Sequence, residues 1–364
     1  MILSEYLVPW SMKVGSTSSA IFVVDLFAGA GIYEDSTTGK KFPGSPLIAA
    51  QRARGYLVSR PSKKMHVICV EKDKQLAEKL GQRLKPFGSL ATLHRGGFAE
   101  HMDAVSGAIG NSPVLLLIDP IGLTAIPAKE CAKLLQRTGK TDVFVILEFQ
   151  YIHRTGGQLL SGGAADPGVS GSAANAANID AFFGDDGWRL VAVDPSLDKA
   201  SREDKYIGMY FAGVLGSRYR YQCAYPVKRR HDAPARYWLV HASDHPDGFW
   251  LMNDEIVKVD ERLVVLSNQK SSSLNDFEQL MVDAAKADLR AKLKAAILEL
   301  LEHTTSKRMR FRSLRSELLH PYFGKVRSGV YAAVIKELVK AGRVTRENPK
   351  TNATLGDQEW IRLV

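Results

Sequence analysis

Two glycines two residues apart, Gly29 and Gly31, follow an apolar run that ends in Asp25. The segment Val23-Val24-Asp25-Leu26-Phe27-Ala28-Gly29-Ala30-Gly31 reads as a strand entering a glycine turn. Without Cβ atoms at these places the backbone can turn sharply and come close to a ligand. A second apolar run, from His66, ends in an acid, Glu71. In nucleotide-binding α/β sheets an acid there accepts hydrogen bonds from ribose hydroxyls, about 20 residues further on. The longer spacing here fits an inserted loop over Tyr33–Ser45. A dinucleotide fingerprint needs a third glycine where Glu34 stands, which argues against that ligand.

Other reactive types fall near the ends of apolar runs. Asp119 follows Pro113–Ile118 and opens Asp119-Pro120-Ile121-Gly122. Ligand crevices of open α/β sheets lie at the carboxyl ends of strands, so Asp119 is a catalytic candidate; the alternative is a carboxylate that caps the next turn. Glu148, in Val145-Ile146-Leu147-Glu148-Phe149, faces the same crevice as a second carboxylate or serves as a buried polar anchor. Asp25 either orients the glycine turn or accepts a bond from a ligand amine. Phe98, in His94-Arg95-Gly96-Gly97-Phe98, either packs on a base or joins the core. His153 and Arg154 are phosphate contacts or a solvated loop. Cys131 lies in a helical pattern after Asp119, a poor place for a nucleophile.

The elements that must position these residues alternate. A short helix over the first residues, with Tyr6, Leu7, Trp10 and Val14 at helical spacing, precedes a strand at Ile21–Leu26. Helices are expected at 46–55, 73–84, 98–108 and 128–137. Strands are expected at 66–71, 91–94, 113–119 and 142–149. Alternation of this kind implies a mostly parallel sheet with helices on both faces, an α/β class. Gly156 to Ala177 reads as a mobile glycine-rich loop, with a helix near Ile179–Phe183 after it. Arg189–Val193, Tyr219–Pro226 and Arg236–Ala242 read as closing strands. The organisation expected is a domain over 1–260, a linker over 261–280 and a basic module over 281–364. The module has helices at Leu289–Leu301, Phe311–Leu319 and Ser328–Ala341, then strands around Val344 and at Trp360–Val364. Three helices and a hairpin are the pattern of a winged helix, a helix-turn-helix relative.

Charge separates the two parts. The chain carries a net +10, and residues 286–364 hold 17 Lys/Arg against 8 Asp/Glu. Such a concentrated basic region points to a polyanion, most often nucleic acid. Arg310, Arg312, Lys325 and Arg327 are the module's candidate phosphate contacts, while Val330, Tyr331, Val334 and Ile335 suggest protein contacts for its third helix. Lys228, Arg229 and Arg230, near Tyr225 and Tyr237, combine phosphate contact with stacking. Three dispersed cysteines argue for a reducing, cytoplasmic setting and against a cysteine zinc site. No apolar run is long enough to span a bilayer.

The turn Asp25-Leu26-Phe27-Ala28-Gly29-Ala30-Gly31 resembles motif I of class I S-adenosylmethionine-dependent methyltransferases. More narrowly, residues 1–260 resemble the bacterial three-Cys-motif partner (TcmP) family. The matching pieces run in order: Tyr6-Leu7 and Trp10, motif I, Gly44-Ser45-Pro46-Leu47, Val70-Glu71-Lys72, Ile118-Asp119-Pro120-Ile121-Gly122-Leu123, Phe182-Phe183-Gly184-Asp185-Asp186, and Tyr237-Trp238-Leu239-Val240-His241-Ala242. The resemblance implies a Rossmann-like methyltransferase fold and S-adenosylmethionine as cofactor. The donor is then held at Asp25, Phe27, Ala28, Gly29, Gly31, Glu71, Phe98 and Asp119, with Asp119 and Glu148 as catalytic candidates. It also implies a three-cysteine partner protein. Amino-methylating relatives carry Asp/Asn-Pro-Pro-aromatic at strand four, where this chain has Ile121 and Gly122. The expected function is methyl transfer, to a nucleic acid by the basic module, with a non-catalytic binding module or a small-molecule or protein methyltransferase as rivals.

Overall fold

A computed structural model describes the chain apart from Met1 and residues 36–37, 121–125, 161–171, 229–232, 269–274 and 348–354. Two compact units form, one ending at Phe249 and one made of Trp250–Val364 together with Ala233. No described helix is long and apolar enough to cross a membrane.

The first unit opens with helix α1 (Ile2–Val14), whose Tyr6, Leu7 and Trp10 are buried. Strand β1 (Ala20–Asp25) follows. The segment expected as an inserted loop folds back on itself as an antiparallel ribbon of β2 (Ile32–Glu34) and β3 (Lys41–Pro43). Then come α2 (Ser45–Ser59), β4 (Lys64–Glu71), α3 (Lys74–Leu84), β5 (Ala91–Arg95), α4 (Phe98–Ile109), β6 (Val114–Ile118), α5 (Ala128–Leu135) and β7 (Thr141–Leu147). Asp73 fixes the start of α3, its Oδ1 accepting from the amides of Gln75 and Leu76 at 2.8 and 2.9 Å.

After β7 the chain runs through α6 (Gln150–Leu160), α7 (Ser172–Phe183), α8 (Trp188–Val193) and α9 (Lys199–Met209), then returns as β8 (Tyr221–Val227) and β9 (Tyr237–Ser243). The seven strands lie in the order β5-β4-β1-β6-β7-β9-β8. The first five are parallel, and β9 is antiparallel to both of its neighbours. A sheet covered on both faces needs apolar residues at consecutive positions, and every residue of β6 is buried. Val24, Leu26, Ile68 and Val70 join a core with α4 to α9 on one face. Ile21, Val23, Val67 and Cys69 alternate with them and are also buried. This is the α/β, Rossmann-like class expected from the alternation.

Three readings need correction. Arg189–Val193 is not a strand: it lies in α8, where Trp188 and Ala192 are buried on one face. A short Leu-Val-Ala-Val run has no period that distinguishes strand from helical turn. Here Asp180 decides, accepting from the Trp188 indole at 2.8 Å and pairing with Arg189. The described parts of the glycine-rich stretch are helical too. Gly156 and Gly157 lie in α6, and a Cβ on Gly156 would stand 2.8 Å from that of Ala192. That glycine therefore lets α6 and α8 pack closely. The stretch expected as a linker over 261–280 is helical where it is described: α10 (Pro246–Asn268) covers its start and α11 (Asn275–His303) its end.

In the second unit α11 leads to β10 (Arg308–Arg310), α12 (Phe311–Glu317), α13 (Ser328–Lys340), β11 (Val344–Glu347) and β12 (Trp360–Leu363). The strands form an antiparallel sheet ordered β10-β12-β11. Leu293, Ile297 and Leu301, spaced four apart on α11, are fully buried, as are Tyr331, Val334 and Ile335 of α13. The apolar face of α13 is thus this unit's own core rather than a surface for partners. Asp254 caps α13 by accepting from the Ser328 amide at 2.7 Å.

Candidate functional site

The turn after β1 has the backbone its glycines allow. Gly29 has φ +61° and Gly31 φ +79°, left-handed values that cost other residues about 1–2 kcal/mol. The two glycines serve different ends. A Cβ on Gly31 would strike Leu80 Cδ1 at 2.8 Å and Leu47 Cγ at 3.3 Å, so this glycine brings the turn onto α2 and α3. A Cβ on Gly29 would have as its nearest neighbour the Tyr33 hydroxyl, at 3.6 Å, which leaves room in front of it.

The turn is tied to the strands beside it. Ala28 is buried, and its amide donates to Val70 O at 3.0 Å. The Gly29 amide donates to Glu71 Oε2 at 2.7 Å, and the Asp73 amide donates to Glu71 Oε1 at 2.7 Å. Glu71 therefore clamps two turns together, a role its position at a strand end did not suggest. Each carboxylate oxygen keeps a second lone pair for a ligand hydroxyl. The Ala28 and Gly29 amides, in contrast, are already engaged.

Asp25 is buried, and its Oδ1 accepts from the Phe27 amide at 3.2 Å. Burial pushes its carboxyl up to about 6, hydrogen bonds from Ser45 and Phe27 act against this, and the charges of Asp119 and Glu71 add to it. This carboxylate orients the turn. The Phe27 ring lies 5.6 Å from that of Phe98, centroid to centroid. Phe98 itself is part of the core under α4.

Asp119 directly follows β6 and is exposed at the sheet's carboxyl edge, with its carboxyl raised above the usual range by the surrounding protein. Glu148 directly follows β7 and is also exposed rather than buried, because the strand ends one residue earlier. Asp25, Glu71, Asp119 and Glu148 thus stand at the carboxyl ends of four neighbouring parallel strands. Ile121 and Gly122 lie outside the described residues.

Tyr33, on β2, is the residue sequence reasoning missed. It is 53% exposed. Its hydroxyl is pushed up to about 12 by burial and then by the charges of Asp119, Asp25 and Glu71. That response places it in the field of all three acids. Only its being aromatic and close to the turn could have flagged it.

The remaining candidates separate. Cys131 is buried in α5, and its thiol is pushed up to about 12, which removes it as a nucleophile at neutral pH. His153 lies on α6, its Nε2 3.1 Å from Glu203 Oε1, and Arg154 stacks over the Tyr151 ring. Lys228 is exposed after β8, while Arg229 and Arg230 lie outside the described residues. In the second unit Arg310 donates to Gln358 at 3.0 Å and lies over the Trp360 ring. Arg312 is the second residue of α12, Lys325 donates to the Pro321 carbonyl at 3.1 Å, and Arg327 is ion-paired with Glu261.

A sheet ordered β5-β4-β1-β6-β7-β9-β8, with its sixth member reversed and a glycine turn after β1, is the class I methyltransferase fold. No protein-family model matches the chain, and no curated protein matches it. Among solved structures, a Legionella pneumophila protein is similar at 11% identity, over 67% of this chain and 84% of that one, with TM-score 0.40. An rRNA methylase from Streptococcus thermophilus is similar at 14% identity, over 66% and 92%, with TM-score 0.30. The O-methyltransferase TomG from Streptomyces achromogenes, in complex with S-adenosylmethionine, is similar at 14% identity, over 66% and 79%, with TM-score 0.33. The fold assignment rests on strand order and turn geometry, not on these likenesses.

Proposed function

We propose that this chain is an S-adenosylmethionine-dependent methyltransferase with the donor seated at the carboxyl ends of β1 and β4. The observation that carries the reading is the left-handed Gly29 turn, clamped by Glu71 and open in front of Gly29. Bound there, the donor supplies an electrophilic methyl group on a sulfonium. The residues present fit it: Glu71 keeps acceptor capacity for ribose hydroxyls, and the four strand-end acids suit a ligand carrying a sulfonium and an ammonium. Asp25 holds the turn from beneath, and Tyr33 borders the space above Gly29. Asp119 and Glu148 are the acceptor-side carboxylates, placed to orient the group that attacks the methyl or to take its proton.

Nucleic acid is the acceptor class favoured by the second unit's charge and by its order of helix, strand, two helices and two strands, the winged-helix order. Isothermal titration of the full chain with S-adenosylmethionine tests the donor. Micromolar binding that is lost in Glu71→Ala is the expected result, and no binding at millimolar donor overturns the reading. Tritiated methyl transfer to DNA, RNA and protein pools then tests the acceptor; label in protein alone would overturn the nucleic-acid assignment.

A further inference from the structure

A cavity of about 380 Å³ opens beside α6, α8 and α9, away from the β1 turn. Its wall is built from Gln150, His153, Leu160, Lys199, Arg202 and Tyr206, among others. The volume lies in the range of small-ligand pockets, about 300–1,000 Å³. Its place in the fold follows from register. Glu203, next to Arg202 on α9, accepts from the Trp238 indole at 2.9 Å, and Trp238 pairs with Leu147, the last residue of β7. Gln150 stands two residues past Glu148. The cavity therefore adjoins the carboxyl end of β7.

Its polar groups are incompletely used. Glu203 is held on both oxygens: Oε1 faces His153 at 3.1 Å and Oε2 accepts from the Trp238 indole. Arg202 makes no ion pair among the described residues; its Nη2 donates to the neutral Asp194 carbonyl at 2.9 Å, and its Nε has no partner. The Tyr206 hydroxyl also has no partner, although the residue is fully buried. An unsatisfied buried donor costs about 1–3 kcal/mol. Lys199 adds a second cation, 3.9 Å from Glu203 and largely exposed. Asp194 and Asp198, both exposed to solvent, are the other acids within Arg202's influence.

We infer that this cavity binds an anionic group, a phosphate or a carboxylate, carried on an apolar or aromatic body. The anion sits against Arg202 and Lys199, with the Tyr206 hydroxyl as a neutral donor, and the body lies along Leu160 and the small residues Gly156, Gly157 and Ala192. An Arg-plus-hydroxyl wall with no opposing carboxylate left unpaired is the chemistry such an anion needs. Binding itself does not depend on methyl transfer; only the view that this ligand is the methyl acceptor rests on the proposed function.

The test is binding to the full chain by calorimetry, with four probes: adenosine 5′-monophosphate, adenosine, inorganic phosphate and benzoate. Phosphate recognition predicts that the monophosphate binds at least tenfold more tightly than adenosine. Carboxylate recognition predicts that benzoate binds and the monophosphate does not. In either case Arg202→Met should weaken the ligand at least tenfold and Tyr206→Phe about threefold, with unchanged melting temperature. Lys199→Met, at an exposed site, keeps the test alive if Arg202→Met does not fold. Equal binding of adenosine and its monophosphate without benzoate binding, no binding of any probe, or insensitivity to these substitutions overturns the inference. Titration with S-adenosylmethionine on the same samples separates this outcome from failure of the donor site.

Discussion

The two ends of the central sheet hold similarly perturbed carboxyls in opposite surroundings. At the carboxyl end, Asp25 closes β1; at the amino end, Asp142 is the second residue of β7. Burial pushes each up to about 6. Asp25 borders a glycine turn, and two further acids, Asp119 and Glu71, add to its shift. Asp142 is enclosed instead. The Trp10 indole donates to its Oδ2 at 2.6 Å, its Oδ1 has no partner among the described residues, and the charge of Asp244 adds to its shift. Beside it the Tyr6 hydroxyl meets His241 Nε2 at 3.3 Å, and burial lowers His241 to about 3, keeping it neutral. A raised carboxyl therefore reports burial. On the proposed function, what marks the donor-binding end is an open turn surrounded by like charges.

The sharpest way to break this comparison is at Gly31. Gly31→Val forces a β-branched residue into φ +79° and against Leu80 and Leu47. Donor binding should fall by more than 100-fold and stability by about 3 kcal/mol or more. Gly29→Ala has space for its Cβ, so it should cost only the backbone term, about 1 kcal/mol of stability. Calorimetric titration and urea unfolding of both variants check this; equal stability losses would mean that the two glycines do the same work.

Acidity separates the two ends next. A carboxyl raised in the folded state binds its proton more tightly there than in the unfolded chain. It therefore lowers stability as pH rises from about 4 to about 6, by roughly 3 kcal/mol per group, and has no further effect above that. Asp142→Asn keeps an oxygen for Trp10 and should remove its share, flattening the change in urea midpoint between pH 4 and 7 relative to the parent chain. Asp25 adds a ligand effect. A cationic donor favours its charged form, so donor affinity should rise by up to about tenfold per pH unit below 6 and level off above. In Asp25→Asn that rise should disappear, whereas Asp142→Asn should retain it. Trp10→Phe belongs to the amino end alone: losing the indole donor should cost about 1–3 kcal/mol and leave donor affinity unchanged.

The same contrast explains what the sequence revealed. The parallel strands are buried on both faces, so their apolar runs stand out without any tertiary knowledge, and Asp25, Glu71, Asp119 and Glu148 could be placed at strand ends from the runs alone. Glu71's grip on Gly29 could not, because it joins residues 42 apart through a turn whose path depends on the ribbon of β2 and β3. Tyr33 was hidden for the same reason. Arg189–Val193 went astray because Asp180, not its own pattern, fixes it as helix. The buried network of Tyr6, Trp10, Asp142 and His241 draws on three distant segments, so it was visible only as scattered aromatic and polar residues.

In the second unit, a smaller effect separates cations that are spoken for from those that are available. Arg327 is ion-paired with Glu261, each about 40% exposed. Lys325 is exposed and donates to a neutral carbonyl, with no ion pair among the described residues. If the unit docks on nucleic acid, Lys325→Ala should lower the slope of log affinity against log salt by about one, equally for unrelated sequences. Arg327→Ala should leave that slope nearly unchanged and cost up to about 1 kcal/mol of stability, the usual worth of a surface pair. Fluorescence anisotropy with a labelled duplex between low and moderate salt reads both slopes. A drop in slope for Arg327→Ala as large as that for Lys325→Ala would mean that the Glu261 pair opens on binding, and that the basic count of the sequence, rather than the pairing in the fold, predicts the contact surface.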